Sequence, residues 1–291
     1  MVAEWGTIEE ARAGIQSLRK AGKTVGFVPT MGYLHAGHIS LVHLARKEVD
    51  EVIVSIFVNP SQFNDPKDLE VYPRDLPRDL ALLKEAGAKA LFLPTPALMY
   101  TPSFESWVSL ENLPLLHEGP LRPGHFRGVA TVVTMLFNII QPDLAVFGEK
   151  DFQQLRIIER MVADLKMPIK IVRGPIVREG DGLAMSSRNV RLVPAARARA
   201  AAISAGLREA RAVYEGGERN AKKLCDVVTK HLSIPDVEIE YINLVNEETL
   251  QCIETVTPPA RILAVAKIGG VRLLDNMALS MDRHAPRGSS N

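Results

Sequence analysis

The sequence predicts an α/β protein: a parallel sheet with helices on both faces, followed by a smaller α+β domain. Three observations carry that reading. Over the first two thirds of the chain, short β-branched or apolar runs alternate with segments of helical periodicity. The runs are apolar on both flanks, as strands covered on both faces must be. Near residue 180 the order changes to two long helical segments and then three strand-like runs.

Taken in order, Thr7 and Glu10 form a capping box, the apolar spacing through Ile15 and Leu18 is helical, and Gly22 stands where a helix stops. TVGFVP (24–29), EVIVSIFV (51–58), KALFLP (89–94) and DLAVFG (143–148) read as buried strands, each bounded by turn-forming residues. Helices are expected over about 37–48, 76–87, 127–140 and 151–166. That alternation implies right-handed crossovers, with a ligand site at the carboxyl ends of the strands. EGDGLAMSSRN (179–189) is a polar, hinge-like loop. Helices at about 194–214 and 218–232 and strands at about 236–244, 260–267 and 270–275 follow, and MDRHAPRGSSN reads as a frayed tail. The expected domains are therefore 1–184 and 185–291, the second opening at MSSRN.

Composition narrows the function classes. A chain of 291 residues suits about two domains. Its 46% apolar and 24% charged content excludes disorder, collagen and coiled coil. Thirty-five Lys and Arg against 34 Asp and Glu leave a formal charge of +1, which favours neither nucleic acid nor a membrane surface as partner. Cys225 and Cys252 form no CxxC pair, so neither a disulfide framework nor a cysteine-rich zinc site is expected. MVAEWGTIEE lacks a signal pattern, and no uncharged apolar run approaches the roughly 18 residues of a membrane span. A cytoplasmic protein is expected.

Four segments carry chemistry. PTMGYLHAGHISLV (29–42) leads from a strand into a helix, and the spacing of His35 and His38 places both imidazoles beside the helix's free N–H groups, where phosphate oxygens are stabilised. A zinc reading needs further ligands, and neither His43, His117 nor His125 has the spacing to supply them. VNPSQFNDPKDLEVYPRD (58–75) is a long loop after a strand, suited to a binding loop or lid. FGEKDFQQL (147–155) sets Lys150 and Asp151 at a helix start, with Gln154 one turn beyond; a lysine there opposes the helix dipole unless an anion joins it. MSSRN (185–189) gathers two hydroxyls and a guanidinium, donors able to follow a polyphosphate. Gly22-Lys23-Thr24 is not a P-loop: position 17 is Ser, and the tripeptide follows a helix rather than a strand.

PTMGYLHAGH, VSIFVNPSQF, YPRD, RPGHFRGV (122–129), FGEKDFQQL and DGLAMSSRN, in this order over about residues 24–192, resemble the HxGH superfamily of nucleotidyltransferases and ligases, and within it the pantothenate synthetase family. Beyond residue 192 the resemblance rests mainly on RLLDN (272–276). It implies a Rossmann-like first domain, a homodimer, and ATP-dependent condensation of (R)-pantoate with β-alanine through a pantoyl-adenylate, releasing AMP and pyrophosphate. Nucleotidyl transfer within the same superfamily is the alternative; the paired glutamines and VNPSQF favour ligation.

The resemblance also implies the roles of individual residues. His35 and His38 would contact the ATP phosphates, with Met31 packed at the site. Lys150, Ser186, Ser187 and Arg188 would hold the triphosphate. Gly148 and Asp151 would bind the ribose, and the Val177 backbone the adenine. Gln62 and Gln154 would bind pantoate, while Asn59, Arg122 and His125 would lie toward β-alanine and Tyr72 in a covering loop. Mg²⁺ would ride chiefly on the nucleotide, with no tightly bound organic cofactor. Relatives often carry adjacent acidic residues where this chain has Arg78-Asp79.

Overall fold

The structure is a computed structural model that describes residues 2–279; the expected frayed tail lies outside the described residues. Two compact units divide the described residues, 2–179 with 184–190 and 180–183 with 191–279. MSSRN thus packs within the first unit, whereas the sequence reading opened the second domain with it. The reason is local: Ser187, Arg188 and Asn189 spend their side chains on Tyr33, Asp68 and Glu179 of the first unit.

Along the first unit run β1 (Ala3–Trp5), α1 (Ile8–Lys20), β2 (Val25–Thr30), α2 (Ala36–Ala45), β3 (Glu51–Ile56), α3 (Pro66–Glu70), α4 (Leu76–Ala86), β4 (Ala90–Phe92), α5 (Pro96–Met99), α6 (Glu118–Leu121), α7 (His125–Ile140), β5 (Leu144–Gly148), α8 (Phe152–Asp164) and β6 (Lys170–Gly174). The six strands form one parallel sheet in the order β1-β4-β3-β2-β5-β6. The two edge strands, β1 and β6, are absent from the sequence reading. β1 has only three residues and β6 is largely half-exposed, so neither shows the continuous apolar run of a central strand. Segment 58–75 is likewise more ordered than a loop, holding a 3₁₀ turn at Pro60–Gln62 as well as α3.

Local signals explain the boundaries. Thr7 and Glu10 close their capping box, the Glu10 carboxylate accepting from Thr7 N and the Thr7 hydroxyl from Glu10 N. Asp75 caps α4 by accepting from Arg78 N at 3.1 Å, and Gly87 ends that helix in the left-handed region at φ 74°. Phe27 of β2, Phe92 of β4 and Phe152 of α8 are fully buried, each the kind of side chain whose truncation costs about 3–5 kcal/mol.

The second unit comprises α9 (Pro194–Glu215), α10 (Ala221–Leu232) and an antiparallel sheet of β7 (Val237–Asn246), β8 (Ala260–Ile268) and β9 (Val271–Ala278). The helices lay Ile203, Leu207, Leu224 and Val228 against Ile262 and Leu273 of the sheet in a single core. Arg261 and Glu247, both buried, pair at 3.1 Å, and Arg261 also donates to Asn276 of the RLLDN segment.

Candidate active site

The strand order fixes where a ligand can sit. The chain steps outward from β2 through β3 to β4 on one side, then returns to lay β5 and β6 on the other, so the order reverses between β2 and β5. Crevices open at the carboxyl ends of such strands. The histidine segment leaves β2 there, 58–75 leaves β3, and Gly148-Glu149-Lys150-Asp151 leaves β5 through a 3₁₀ turn into α8. Three of the four chemical segments share one sheet edge for topological reasons.

His35 and His38 are held by backbone groups. His35 is the N-cap of α2 and its Nδ1 accepts from Gly37 N at 3.1 Å; His38 Nδ1 accepts from His35 N at 3.3 Å. A nitrogen that accepts carries no proton, so both neutral rings carry theirs on Nε2. The rings lie 4.0 Å apart, tilted by 36°. Burial, then the Lys150 ammonium, lowers the His35 pKa to about 4; burial, then His35, lowers that of His38 to about 3. Both imidazoles are neutral N–H donors at pH 7.

Asp151 lies among the cations of the crevice. Burial pushes its carboxyl upward, but Lys150, Arg188 and Arg122 together hold it below the usual carboxylate range. Lys150 Nζ stands 3.5 Å from Asp151 Oδ1, and both charges act on His35 and His38. The lysine read from the sequence as misplaced at a helix start is thus partnered by its neighbour.

A second polar cluster surrounds Gln62. Asn59 donates to Gln62 Oε1 at 2.9 Å, and Gln62 Nε2 reaches Met31 Sδ at 3.2 Å. Asn59 Oδ1 in turn accepts from Tyr100 Oη at 2.8 Å and from Ser61. His125 Nδ1 donates to the Gln62 carbonyl at 2.8 Å, which leaves its Nε2 to accept from Arg122 at 3.0 Å. Burial, then Arg122, keeps that imidazole neutral with a pKa of about 4.

On α8 the adjacent glutamines divide their work. Gln153 is buried, its amide spent on Glu118 N and the carbonyls of Leu113 and Leu116. The Gln154 amide makes no side-chain hydrogen bond with any described residue. Ser186 and Ser187 divide likewise: Ser187 Oγ donates to the Tyr33 carbonyl at 3.1 Å, while Ser186 Oγ only accepts, from Arg188 N at 3.3 Å. Arg188 pairs with Asp68 at 2.8 Å and lies 5.8 Å from the Tyr72 ring centre. Tyr72 is buried, meets Phe63 edge-on and shares a hydrogen bond with Ser187. The Val177 carbonyl accepts from Met185 N at 2.9 Å, and Gly148 ends β5 opposite Gly174.

Sequence reasoning missed Asp79, Tyr100, Ser61 and Asp68. Asp79 reads as an ordinary first-turn helix acid, and the others carry no spacing signal. In the fold, Asp79 is buried and accepts from Tyr33 N and Leu34 N, both at 2.7 Å.

The family model described as "Pantoate-beta-alanine ligase" matches residues 4–278. The chain belongs to the pantoate–β-alanine ligases. Members of that family with similar sequences include the pantothenate synthetase of Thermotoga petrophila, 49% identical over 94% of this chain and 98% of its own. The crystal structure of pantothenate synthetase from Thermus thermophilus superposes with a TM-score of 0.91 at 43% identity, covering 96% of this chain and 99% of the other. A pantoate–β-alanine ligase from Francisella tularensis, described as complexed with "Beta-gamma ATP" and β-alanine, gives a TM-score of 0.80 at 34% identity, covering 96% and 98%. As a pantoate–β-alanine ligase, the protein joins pantoate to β-alanine using ATP. The sequence-based alternative, an enzyme that stops at a nucleotidylated product, is set aside by this ligation. The first unit carries the family's Rossmann-like parallel sheet and the second its three-stranded antiparallel sheet.

Proposed function

We propose that the ligation proceeds through a pantoyl-adenylate formed at the carboxyl edge of the parallel sheet. The observation that carries this reading is the pair of Nε2–H donors on His35 and His38, held beside Lys150 where strand order reverses. A carboxylate does not acylate an amine at neutral pH, because oxide is too poor a leaving group. In the first step a pantoate carboxylate oxygen bonds to the ATP α-phosphorus and the bond to the bridging oxygen breaks, releasing pyrophosphate. Charge builds on the phosphoryl oxygens and on the departing group. His35, His38, Lys150, Ser186 and Arg188 supply donors and cations there, with Ser187 fixing the loop. Neutral imidazoles suit the task, since they donate without drawing Asp151 away from Lys150.

In the second step the β-alanine ammonium gives up a proton to solvent, its nitrogen bonds to the pantoyl carbon, the bond from that carbon to the phosphoryl oxygen breaks so that AMP leaves, and the nitrogen's second proton passes to solvent. Gln62 and Gln154 hold pantoate: amides donate and accept without the charge that would quench the nucleophile. Gln62 is oriented by Asn59, and its carbonyl is tied to His125 and Arg122, which supports placing those three residues on the β-alanine side. Asp151 and Gly148 meet the ribose and the Val177 backbone the adenine, with Met31 and Tyr72 packing around the ligands. The bond between β- and γ-phosphate plays no part in this scheme.

ATP enters as its Mg²⁺ complex. Among the described residues no three His, Cys, Asp or Glu side chains gather as a metal-ligand set, and Asp79 has spent both oxygens on backbone N–H groups, so we assign the ion to the phosphates. Bound there, it neutralises phosphate charge. We further propose a homodimer in the cytoplasm. The free thiols of Cys225 and Cys252 agree with a reducing compartment, and no helix of the described residues is long and apolar enough to cross a membrane. Sedimentation at micromolar protein tests the dimer; a monomer there contradicts it. The experiment for the reaction measures AMP with pantoate and β-alanine together, then with each omitted. AMP should accumulate catalytically only with both, and ADP as the product would refute the scheme.

A further inference from the structure

We propose that Asp79 is a positioning residue for adenylation, its buried carboxylate clamping the turn from which His35 and His38 project. The proposal rests on the reading that those imidazoles meet the ATP phosphates. Asp79 lies on α4, remote in sequence from the histidines, with only 2% of its side chain exposed. Each carboxylate oxygen takes one backbone proton, Oδ2 from Tyr33 N and Oδ1 from Leu34 N, both at 2.7 Å.

The turn needs holding. Tyr33 has φ +50°, a left-handed conformation that a bulky residue adopts only when its surroundings enforce it. At Gly32, with φ +82°, an added Cβ would stand 2.9 Å from Ile56 Cγ2 and 3.3 Å from Asp79 Oδ2, so the carboxylate is packed directly against the backbone it binds. The peptide joining Tyr33 to Leu34 is gripped at both ends, its N–H by Asp79 and its carbonyl by Ser187 Oγ at 3.1 Å. The next N–H, that of His35, fixes the His38 ring. One carboxylate therefore anchors a continuous chain from α4 through the turn to the second imidazole, and touches the MSSRN loop through the same peptide.

Capping of α4 does not account for Asp79, because Asp75 already performs it. Nor does ion pairing, since Arg78 approaches no closer than 3.9 Å and remains largely exposed. An asparagine has the same shape but one acceptor oxygen, and its amide nitrogen would face an N–H.

The test compares Asp79→Asn and Asp79→Glu with the unaltered full chain in pantoate-dependent ATP–pyrophosphate exchange. A misplacement of reacting groups by about 1 Å costs on the order of 100-fold. Asp79→Asn should accordingly lower the exchange kcat by about 10- to 100-fold, with the KM values for ATP and pantoate within about 3-fold. Asp79→Glu, longer by one methylene, should not restore it. Asp75→Ala, which uncaps the same helix without touching the turn, should keep exchange within about 3-fold.

Two measurements on the unaltered protein stand even if Asp79→Asn does not fold. Tyr33 and Leu34 amides should be protected from hydrogen exchange, and ¹⁵N-histidine spectra should show both Nδ1 atoms unprotonated. A kcat for Asp79→Asn within 3-fold of the unaltered protein, or Tyr33 and Leu34 amides exchanging like open loop, would overturn the proposal. Absence of exchange in the unaltered protein would instead overturn the adenylation reading.

Discussion

The histidine turn and the Arg188 segment treat their polar groups in opposite ways. In the turn, Nδ1 of each imidazole accepts from a backbone N–H, and Asp79 takes two more, so every anchoring bond is to main chain. Arg188 is held by a side-chain carboxylate, with Arg188 and Asp68 each 26% exposed. Main-chain anchors persist through a catalytic cycle, whereas an ion pair open to solvent exchanges partners at small cost. In the proposed scheme the fixed part serves as a set of preorganised neutral donors, and the exchangeable part offers its positive charge to phosphate in place of Asp68.

Lys150 should give the largest effect, because its charge acts on His35 more strongly than that of any other residue. Lys150→Ala should slow adenylation by about 10²- to 10³-fold, as loss of one preorganised donor does elsewhere, and single-turnover quench measurements would show it. Normal single-turnover adenylation in that variant would remove Lys150 from the scheme.

The glutamine pair sharpens the contrast between bound and available groups. Gln154→Ala should cost about 1–3 kcal/mol, roughly 5- to 150-fold in kcat/KM for pantoate, with ATP binding unchanged. Gln153→Ala should instead lower thermal stability, since its amide bonds three backbone groups. Weakened ATP binding by Gln154→Ala equal to its effect on pantoate would break the assignment.

Acid probes the fixed part through its histidines. The unfolded chain protonates imidazole near pH 6.5, while His35, His38 and His125 have folded pKa values of about 4, about 3 and about 4. The unfolded state therefore binds more protons across that interval. Stability is whole above about pH 6.5 and declines as pH falls toward 4. Urea midpoints measured at pH 7, 6 and 5 should fall in that order; a midpoint unchanged from pH 7 to 5 would contradict the burial of these rings.

Asp68→Asn should give the smallest effect, and in the opposite direction. A partly exposed ion pair is worth about 0.2–1 kcal/mol, so releasing Arg188 should tighten ATP binding about 1.4- to 5-fold, as calorimetry would measure. Weaker binding would show that Asp68 presents Arg188 to the phosphates rather than competing with them.

Most of the sheet was legible because central strands buried on both faces are continuous apolar runs, and the helix before β2 opens on the capping box of Thr7 and Glu10. The edge strands β1 and β6 were not, since an edge buries less and needs no such run. At the site, His35 and Lys150 stood out by residue type at strand ends, and Arg188 by its place in a polar loop. What sequence could not reveal was commitment: which of Gln153 and Gln154, or of Ser186 and Ser187, is spent on backbone depends on tertiary neighbours such as the Leu116 and Tyr33 carbonyls. Asp79, noted in sequence only beside Arg78, hid its part for the same reason, its two partners lying in a distant turn.

In the proposed scheme, preorganised donors act on an ATP–pantoate reaction that is complete before the amine arrives. Exchange of labelled pyrophosphate into ATP tests it most directly. Exchange is expected with ATP and pantoate alone, and none when pantoate is withheld. Exchange that begins only on adding β-alanine would contradict it.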